Sequence, residues 1–485
     1  MSAPMEDGVV LARGETGSSF LHRVLREARA LFPHALFDAD LPADPGAFKR
    51  RFGDLVAEFE AARITSSERL QIARHLFSAT QQALELVEGG QRRPLLEALS
   101  EVTTPPELEV RAPTGAPGLK VRVPCDGRLW SGREALELIE RLHAAHQMTD
   151  AARRGLEWII EHIDAAGGAL DLSGETFALL GAAAELSPAQ LLLEAGATVR
   201  WIDLKPPDSP PESGTILTAK GGDDLLLRPR AVAASLRALA EKRPLHLGLF
   251  AYAPGASREL RLAGAMDALA RCLGPGAVKS VAMFVSPTSP GELQPEDLEV
   301  ARARGRSPKL WQRGLALARA LSPPGHYGPD SAAVVRAPIS IQGAAYQAAQ
   351  YLTKIIGAEV FAIDGVSGTP VTLSVNVAGI TRTRSLRHPV FQAAFRGAPA
   401  FGVRIFAPET TRALSGLLML HDLLNPDAPG AVGRKWQEPE ARARALRSEQ
   451  IHGGAYDLPW QFESAVRCAA VLGAASNPAA LFRKG

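Results

Sequence analysis

Residues 176–203 carry the side chains whose types and spacing most directly suggest a chemistry. An apolar run, Phe177 to Leu180, enters a small-residue turn at Gly181. A helix opened by Ser187-Pro188 follows, and a second apolar strand, Thr198 to Ile202, ends on Asp203. A parallel strand–helix–strand crossover needs about 30 residues. An acid about 20 residues beyond the turn stands where a dinucleotide's ribose hydroxyl is hydrogen-bonded. Of the glycines in G-x-G-x-x-G only Gly181 is present; Ala183 and Leu186 or Ser187 fill the later places. Alanine still lets backbone N–H groups approach a pyrophosphate, although Glu185 brings a carboxylate into the same loop. Gly181, Ala183, Glu185, Leu186 and Asp203 are thus the candidate contacts to the adenosine half of NAD or NADP. The charge of Asp203 would repel a 2′-phosphate and favour NAD, with Arg200 and Lys205 softening that preference. The competing reading is a crossover that packs and binds nothing.

A second stretch, Val375 to Thr383, leaves another strand with Ala378 and Gly379, small enough for backbone to approach a flat ring. Thr383 follows four residues after Gly379, able to donate to an amide or phosphate, and Arg382 and Arg384 add positive charge. Other chemistries find little support. His143 and His146 sit at i,i+3 on a helix without an accompanying acid or cysteine motif, which favours surface placement over metal binding. Gly-x-Ser-x-Gly and P-loop motifs are absent, and the Arg-rich segment 434–447 alternates with glutamates as a solvated helix face does.

Composition sets the frame. The 485 residues exceed what one core usually supports, so two or three structural units are expected. A hydrophobic share of 46% with 22% charged residues is ordinary for a globular protein, and a net charge of +2 argues against nucleic acid as the main partner. No apolar run reaches the ~18–20 residues of a membrane span. The first residues lack the basic-then-apolar order of a secretion signal. Cys125, Cys272 and Cys468 are far apart and odd in number, which predicts a reducing, cytoplasmic setting. Abundant Ala, Arg, Gly and Pro suits a GC-rich bacterial genome.

The elements that must position these residues follow from periodicity. Residues 18–100 read as helices, with Thr65 to Glu68 as a capping box and Gly89-Gly90 as a stop. Residues 107–125 alternate around the turn 115–118 and predict a β-hairpin. Helices return over 132–165. After a proline-rich link come a strand over 245–252, a helix over 257–272 and a strand over 278–285. Residues 287–330 are an excursion with a helix near 309–321, a candidate substrate lid, cover for the sheet surface or oligomer contact. A helix over 341–356, a strand over 371–377 and a further candidate strand over 401–406 complete the alternation, and 408–485 revert to helix. Repeated β–α alternation predicts an α/β fold, a doubly wound parallel sheet over 171–405. Helical regions flank it at 1–105 and 406–485, with a hairpin and helical connector at 106–170.

The region 174–405 resembles the short-chain dehydrogenases/reductases, Rossmann enzymes that use NAD(H) or NADP(H). The Gly181 turn and Asp203 match that family's cofactor loop and ribose-binding acid. Tyr252-Ala-Pro-Gly255 stands where the family has Asn-Asn-Ala-Gly, and Ser286 ends the next strand, at the place of its catalytic serine. Val375 to Thr383 follows its Pro-Gly-x-x-x-Thr segment, with Ala378 in place of the proline. The resemblance implies that Tyr252 and Gly255 flank the cofactor ribose and that Ala378, Gly379 and Thr383 approach the nicotinamide. It also implies a Tyr-x-x-x-Lys pair transferring a proton to a substrate oxygen. Here the spacing departs: Tyr351-Leu-Thr-Lys354 is shorter by one, position 350 is Gln, and Tyr346 lies two turns from Lys354. Tyr351, Tyr346, Lys354 and Ser286 are therefore the candidate catalytic residues. The resulting expectation is an NAD(P)-dependent oxidoreductase acting on a small-molecule carbonyl or alcohol, possible as a homo-oligomer. The alternatives are an S-adenosylmethionine-dependent methyltransferase, which needs no pyrophosphate loop, and a non-catalytic Rossmann scaffold.

Overall fold

Alternation along the strands decides how the layers form. In the strand Thr176–Leu180, Ala178 and Leu180 face one core while Phe177 and Leu179 face another. Apolar residues on both faces require cover on both faces, and helices supply it. The helices Gly17–Leu31, Pro45–Thr65, Arg69–Gln82 and Arg258–Arg271 share the first core. The helices Ala135–Ala144, Asp150–Ala165 and Pro408–Leu424 share the second. The coordinates are a computed structural model that describes residues 7–477, apart from 208, 254, 256, 324–333 and 336–337.

The strands among the described residues, in chain order, are β1 (Gly8–Leu11), β2 (Leu84–Glu88), β3 (Gln91–Pro94), β4 (Leu108–Arg111), β5 (Arg122–Cys125), β6 (Arg128–Ser131), β7 (Thr176–Leu180), β8 (Thr198–Ile202), β9 (Thr215–Ala219), β10 (Leu245–Leu249), β11 (Val278–Val285) and β12 (Thr372–Val377). The central sheet has seven strands in the order β12-β11-β10-β7-β8-β9-β4. All its pairings are parallel except that of β4 with β9. Outside β12 the chain closes the edge without a full strand: Leu373 N–H bonds the Gly430 carbonyl, Val377 N–H that of Glu449, and Ile451 N–H returns to Val377. Among the described residues no helix is long and apolar enough to cross a membrane.

The predicted crossover over 176–203 is present, with a short helix Ala189–Glu194 between β7 and β8. Four expectations are corrected. Residues 107–125 do not form one hairpin: β4 runs antiparallel to β9, and β5 pairs with β6 instead. The turn of that second hairpin is Asp126-Gly127, both at positive φ, the Asp-Gly pair that a tight two-residue β-turn favours. Residues 84–88 are a strand, not the end of a helix, because Gly89-Gly90 turns β2 back into β3. Thr65 ends a helix and bonds back to the Ala61 carbonyl, so it caps nothing downstream. Residues 401–406 contribute only an isolated bridge between Thr381 and Phe406. The excursion after β11 holds the helices Pro295–Arg306 and Leu310–Leu317; its residues 324–330 lie outside the described residues.

Candidate functional site

The carboxyl ends of β8, β7, β10, β11 and β12 lie side by side, and every residue singled out for cofactor or catalysis follows one of these strands or sits on the helix between β11 and β12. Gly181 follows β7 at φ +92°, and a Cβ there would lie less than 3.0 Å from Ala251 N. Its lack of a side chain lets the β7 turn pack against the chain leaving β10, where the Phe250 and Ala251 N–H groups both bond the Leu180 carbonyl. The turn's amides are in use. Gly181 and Ala182 donate to the Ile202 carbonyl, Ala183 to Asp203 Oδ2 at 2.9 Å, and Ala184 to the Gly181 carbonyl. Asp203 also accepts from the Leu204 N–H through Oδ1 at 2.8 Å, so it ties the loop together.

The loop continues outward. Glu185 is exposed, and its Oε2 accepts the Arg384 N–H at 3.0 Å; Leu186 packs against the second core. Arg200, expected near a 2′-phosphate, is fully buried against Asp223 (2.8 Å) and Ser235 (2.9 Å) and faces the interior. Gly379 does not leave room for a flat ligand ring, because a Cβ there would stand 2.7 Å from the Phe406 ring, which already covers that face. Ala378 is buried, its N–H bonded to the Val285 carbonyl, and Thr383 is half-buried. Gly255, at φ +112°, has open space where a Cβ would point, and Tyr252 beside it is 49% exposed; Pro254 lies outside the described residues.

Ser286 and Tyr346 are brought together. Ser286 leaves β11 in a turn in which its Oγ lies 2.9 Å from Thr288 Oγ1, and its N–H bonds Gln350 Oε1. The Tyr346 hydroxyl lies close enough to the Ser286 side chain for the two to interact. Burial raises the Tyr346 pKa, Ser286 lowers it, and the nearby Glu259 and Tyr252 raise it.

Tyr351 and Lys354 are not brought together. The helix that carries them widens into a π-turn over Gln350–Ile355, so residues three apart no longer share a face as they would on an α-helix. Tyr351 points into the helical layer and donates to Glu60 at 2.7 Å. It joins a largely buried network there, exposed only at Glu292. Arg63 bonds Glu60 and Glu359, Arg69 bonds Glu359 and Glu292, and Arg447 reaches Glu359 at 3.3 Å. Lys354 points the other way and donates to the Phe284 carbonyl at 3.0 Å, beneath the end of β11. Burial lowers its pKa, while Glu259 and Asp267 oppose that shift.

Glu259 and Asp267 are the site residues that motif reasoning missed. They lie eight apart on the helix Arg258–Arg271, one face of a helix, and both are buried. Two acids in phase with an otherwise apolar stripe were the available signal. Glu259 takes the Ala253 N–H at 2.7 Å, and burial pushes its carboxyl up to about 7. Asp267 is raised well above the usual range by burial, and its Oδ2 makes no hydrogen bond. A hydroxyl pair, an amine and an acid poised near neutrality can hold a substrate oxygen and move a proton to or from it.

Two other buried groups have the residue types of a metal site: Asp297, His452 and Asp457, and His421, Asp422 and Glu449. In each, one histidine nitrogen accepts a hydrogen bond, His452 Nδ1 from the Gly454 N–H at 3.1 Å and His421 Nε2 from the Asn425 amide at 2.9 Å. The ring proton therefore sits on the nitrogen facing the carboxylates, 3.0 Å from Asp297 and 2.8 Å from Glu449. A metal-bound histidine needs the reverse, a bare nitrogen toward the ion and an N–H on the outside. A cleft of about 670 Å³ lined by His143, His146 and the helix Pro295–Arg306 contains none of the residues of the Ser286 site.

No family model matches the chain, and no curated protein matches it either.

Proposed function

We propose that this chain is an NAD(H)- or NADP(H)-dependent oxidoreductase of short-chain dehydrogenase/reductase type, acting on the carbonyl or alcohol of a small molecule. The observation that carries the reading is the Ser286–Tyr346 hydroxyl pair at the carboxyl end of β11, with Lys354 on the same helix as Tyr346. Taking β7 as the first strand, the parallel strands lie in the order 3-2-1-4-5-6, the order of doubly wound dinucleotide-binding sheets. Such sheets bind ligands at the switch point, here between the ends of β7 and β10. Tyr346 takes the proton-transfer role in place of Tyr351, and Ser286 orients the substrate oxygen. On reduction of a carbonyl, hydride would come from the bound nicotinamide and the oxygen would accept the Tyr346 proton; Glu259 acts electrostatically on both Tyr346 and Lys354 and so links the lysine to the pair. Protonated Glu259 is a source from which that proton is restored.

As they stand, the residues of the β7 turn do not fit a diphosphate, since the amides of 181–184 all have partners within the chain. That observation favours a second reading, a scaffold of the same topology without catalysis. Titration of the purified chain with NADH, NADPH and S-adenosylmethionine decides between them. Binding of a reduced nicotinamide cofactor, with turnover lost in Tyr346→Phe, supports the oxidoreductase. Binding of S-adenosylmethionine alone overturns it in favour of a methyltransferase, and binding of none favours the scaffold.

A further inference from the structure

We infer that the apolar cavity beside the Ser286–Tyr346 pair receives a compact aliphatic group of the substrate, attached directly to the reacting carbon. This deepens the oxidoreductase reading and rests on it for the identity of the reacting group. The cavity is about 80 Å³ and is walled by apolar side chains, among them Ile339, Phe391, Phe401 and Phe462. Only Thr288 and Gln342 bring polar groups to it, and both belong to the hydroxyl chain. Gln342 Nε2 donates to Thr288 Oγ1 at 2.9 Å, and Thr288 Oγ1 lies 2.9 Å from Ser286 Oγ, which meets Tyr346. A ligand lying in the cavity with its oxygen toward Thr288 is thus led to the proton-transfer pair.

The walls fix the size of the occupant. Two helices, Pro389–Gly397 and Phe462–Ser476, form much of the lining and cross in close contact. A Cβ on Gly397 would lie under 3.0 Å from the Ala469 carbonyl, and one on Gly473 under 3.0 Å from that of Ala393. Backbone against backbone leaves little freedom to swell. An apolar cavity of about 150 Å³ takes a benzene ring, so about half that volume suits a branched alkyl group of about three or four carbons. A phenyl ring is too large.

The test uses the full chain and three ketones, acetone, 3-methyl-2-butanone and acetophenone, with affinities read by ligand-observed NMR. Each added buried carbon is worth about fourfold in affinity. 3-Methyl-2-butanone is therefore expected to bind about fifteenfold more tightly than acetone, and acetophenone more weakly than either. Ala465→Leu, which fills the cavity, should abolish the preference while leaving NADH affinity unchanged. Equal binding of the first two ketones, or an undiminished preference in Ala465→Leu, overturns the assignment. Should that variant fail to fold, Phe391→Ala replaces it. The enlarged cavity must then admit acetophenone, and continued rejection overturns the assignment equally. Size selection without any nicotinamide binding leaves the cavity assignment standing and removes the oxidoreductase reading.

Discussion

Replacing Glu359 by glutamine removes the carboxylate on which Arg63, Arg69 and Arg447 converge. Arg63 reaches it at 2.8 and 3.0 Å, Arg69 at 2.7 and 3.3 Å and Arg447 at 3.3 Å, and Glu359 has no exposed surface. Glu60 and Glu292 are the other carboxylates bonded to this group, so three buried guanidiniums face three acids, with the exposed Arg444 4.0 Å from Glu292 at the rim. The glutamine variant leaves one buried positive charge uncompensated and turns an amide N–H₂ toward guanidinium donors. Breaking a buried ion pair this way costs about 3–5 kcal/mol, a large part of the roughly 5–15 kcal/mol that holds a domain folded. Asp364→Asn is the internal control. It breaks the Arg74–Asp364 bridge between Arg69–Gln82, the helix of Arg69, and Ile356–Asp364, the helix of Glu359, but both partners are more than 40% exposed, and a loss under about 1 kcal/mol is expected. The assay is urea unfolding of both variants at pH 7 with a common m-value. Burial alone would raise the Glu359 pKa, but Arg63 and Arg69 outweigh it and hold it far below its ordinary 4.5. A depressed folded-state pKa stabilises above the unfolded value and is lost as pH falls. The gap between wild type and Glu359→Gln should therefore narrow below about pH 4.5. A loss no larger than that of Asp364→Asn, or a gap that widens in acid, refutes the reasoning.

Tyr346→Phe should lower turnover by about 10²–10⁴-fold with cofactor affinity retained. Tyr351→Phe should keep turnover and lose about 1–3 kcal/mol of stability, because Glu60 forfeits a buried donor; steady-state kinetics and urea unfolding read the two. Glu259, ordinarily at 4.5 and here at about 7, stays protonated in the folded state where the unfolded chain ionises. Stability from this group is complete below about pH 4.5 and falls by about 3 kcal/mol as pH rises through 7; Glu259→Gln should flatten that slope in a pH series of unfolding midpoints. Gly181→Ala places a Cβ against the backbone of Ala251 and should cost more than about 3 kcal/mol, whereas Gly255→Ala meets open space and should cost only the about 1–2 kcal/mol of an unfavourable φ; thermal unfolding of the pair separates the two effects.

Much of the parallel sheet was legible because its strands are apolar on both faces and their helices have clear spacing. β8 and β11 match their predicted bounds, and β7 and β12 differ little from theirs. What escaped were elements whose identity depends on distant partners. β2 reads as a helix from its own apolar residues, and only pairing with β1 and β3 makes it a strand. β4 reads as half of a local hairpin, yet its partner β9 lies about a hundred residues away. In the site, Ser286 and Tyr346 were among the residues named from sequence and do meet. The widened turn at Gln350–Ile355 was invisible to an argument built on 3.6 residues per turn, so Tyr351 and Lys354 were expected on one face. Gly181 and Gly379 are small for packing reasons that spacing alone cannot reveal: one admits the Ala251 backbone and the other the Phe406 ring.

The borders of the central sheet carry a consequence for self-association. β4 is four residues long, presents the charged Glu109 and Arg111, and leaves Val110 65% exposed. At the opposite border, the Leu373 and Val377 amides of β12 donate to the Gly430 and Glu449 carbonyls, and the Val377 carbonyl takes the Ile451 N–H. Short charged margins and sealed margins both discourage the joining of sheets between molecules. Copies of this chain that pair should therefore do so without joining their central sheets, and substitutions on β4 should leave the assembly's mass unaltered.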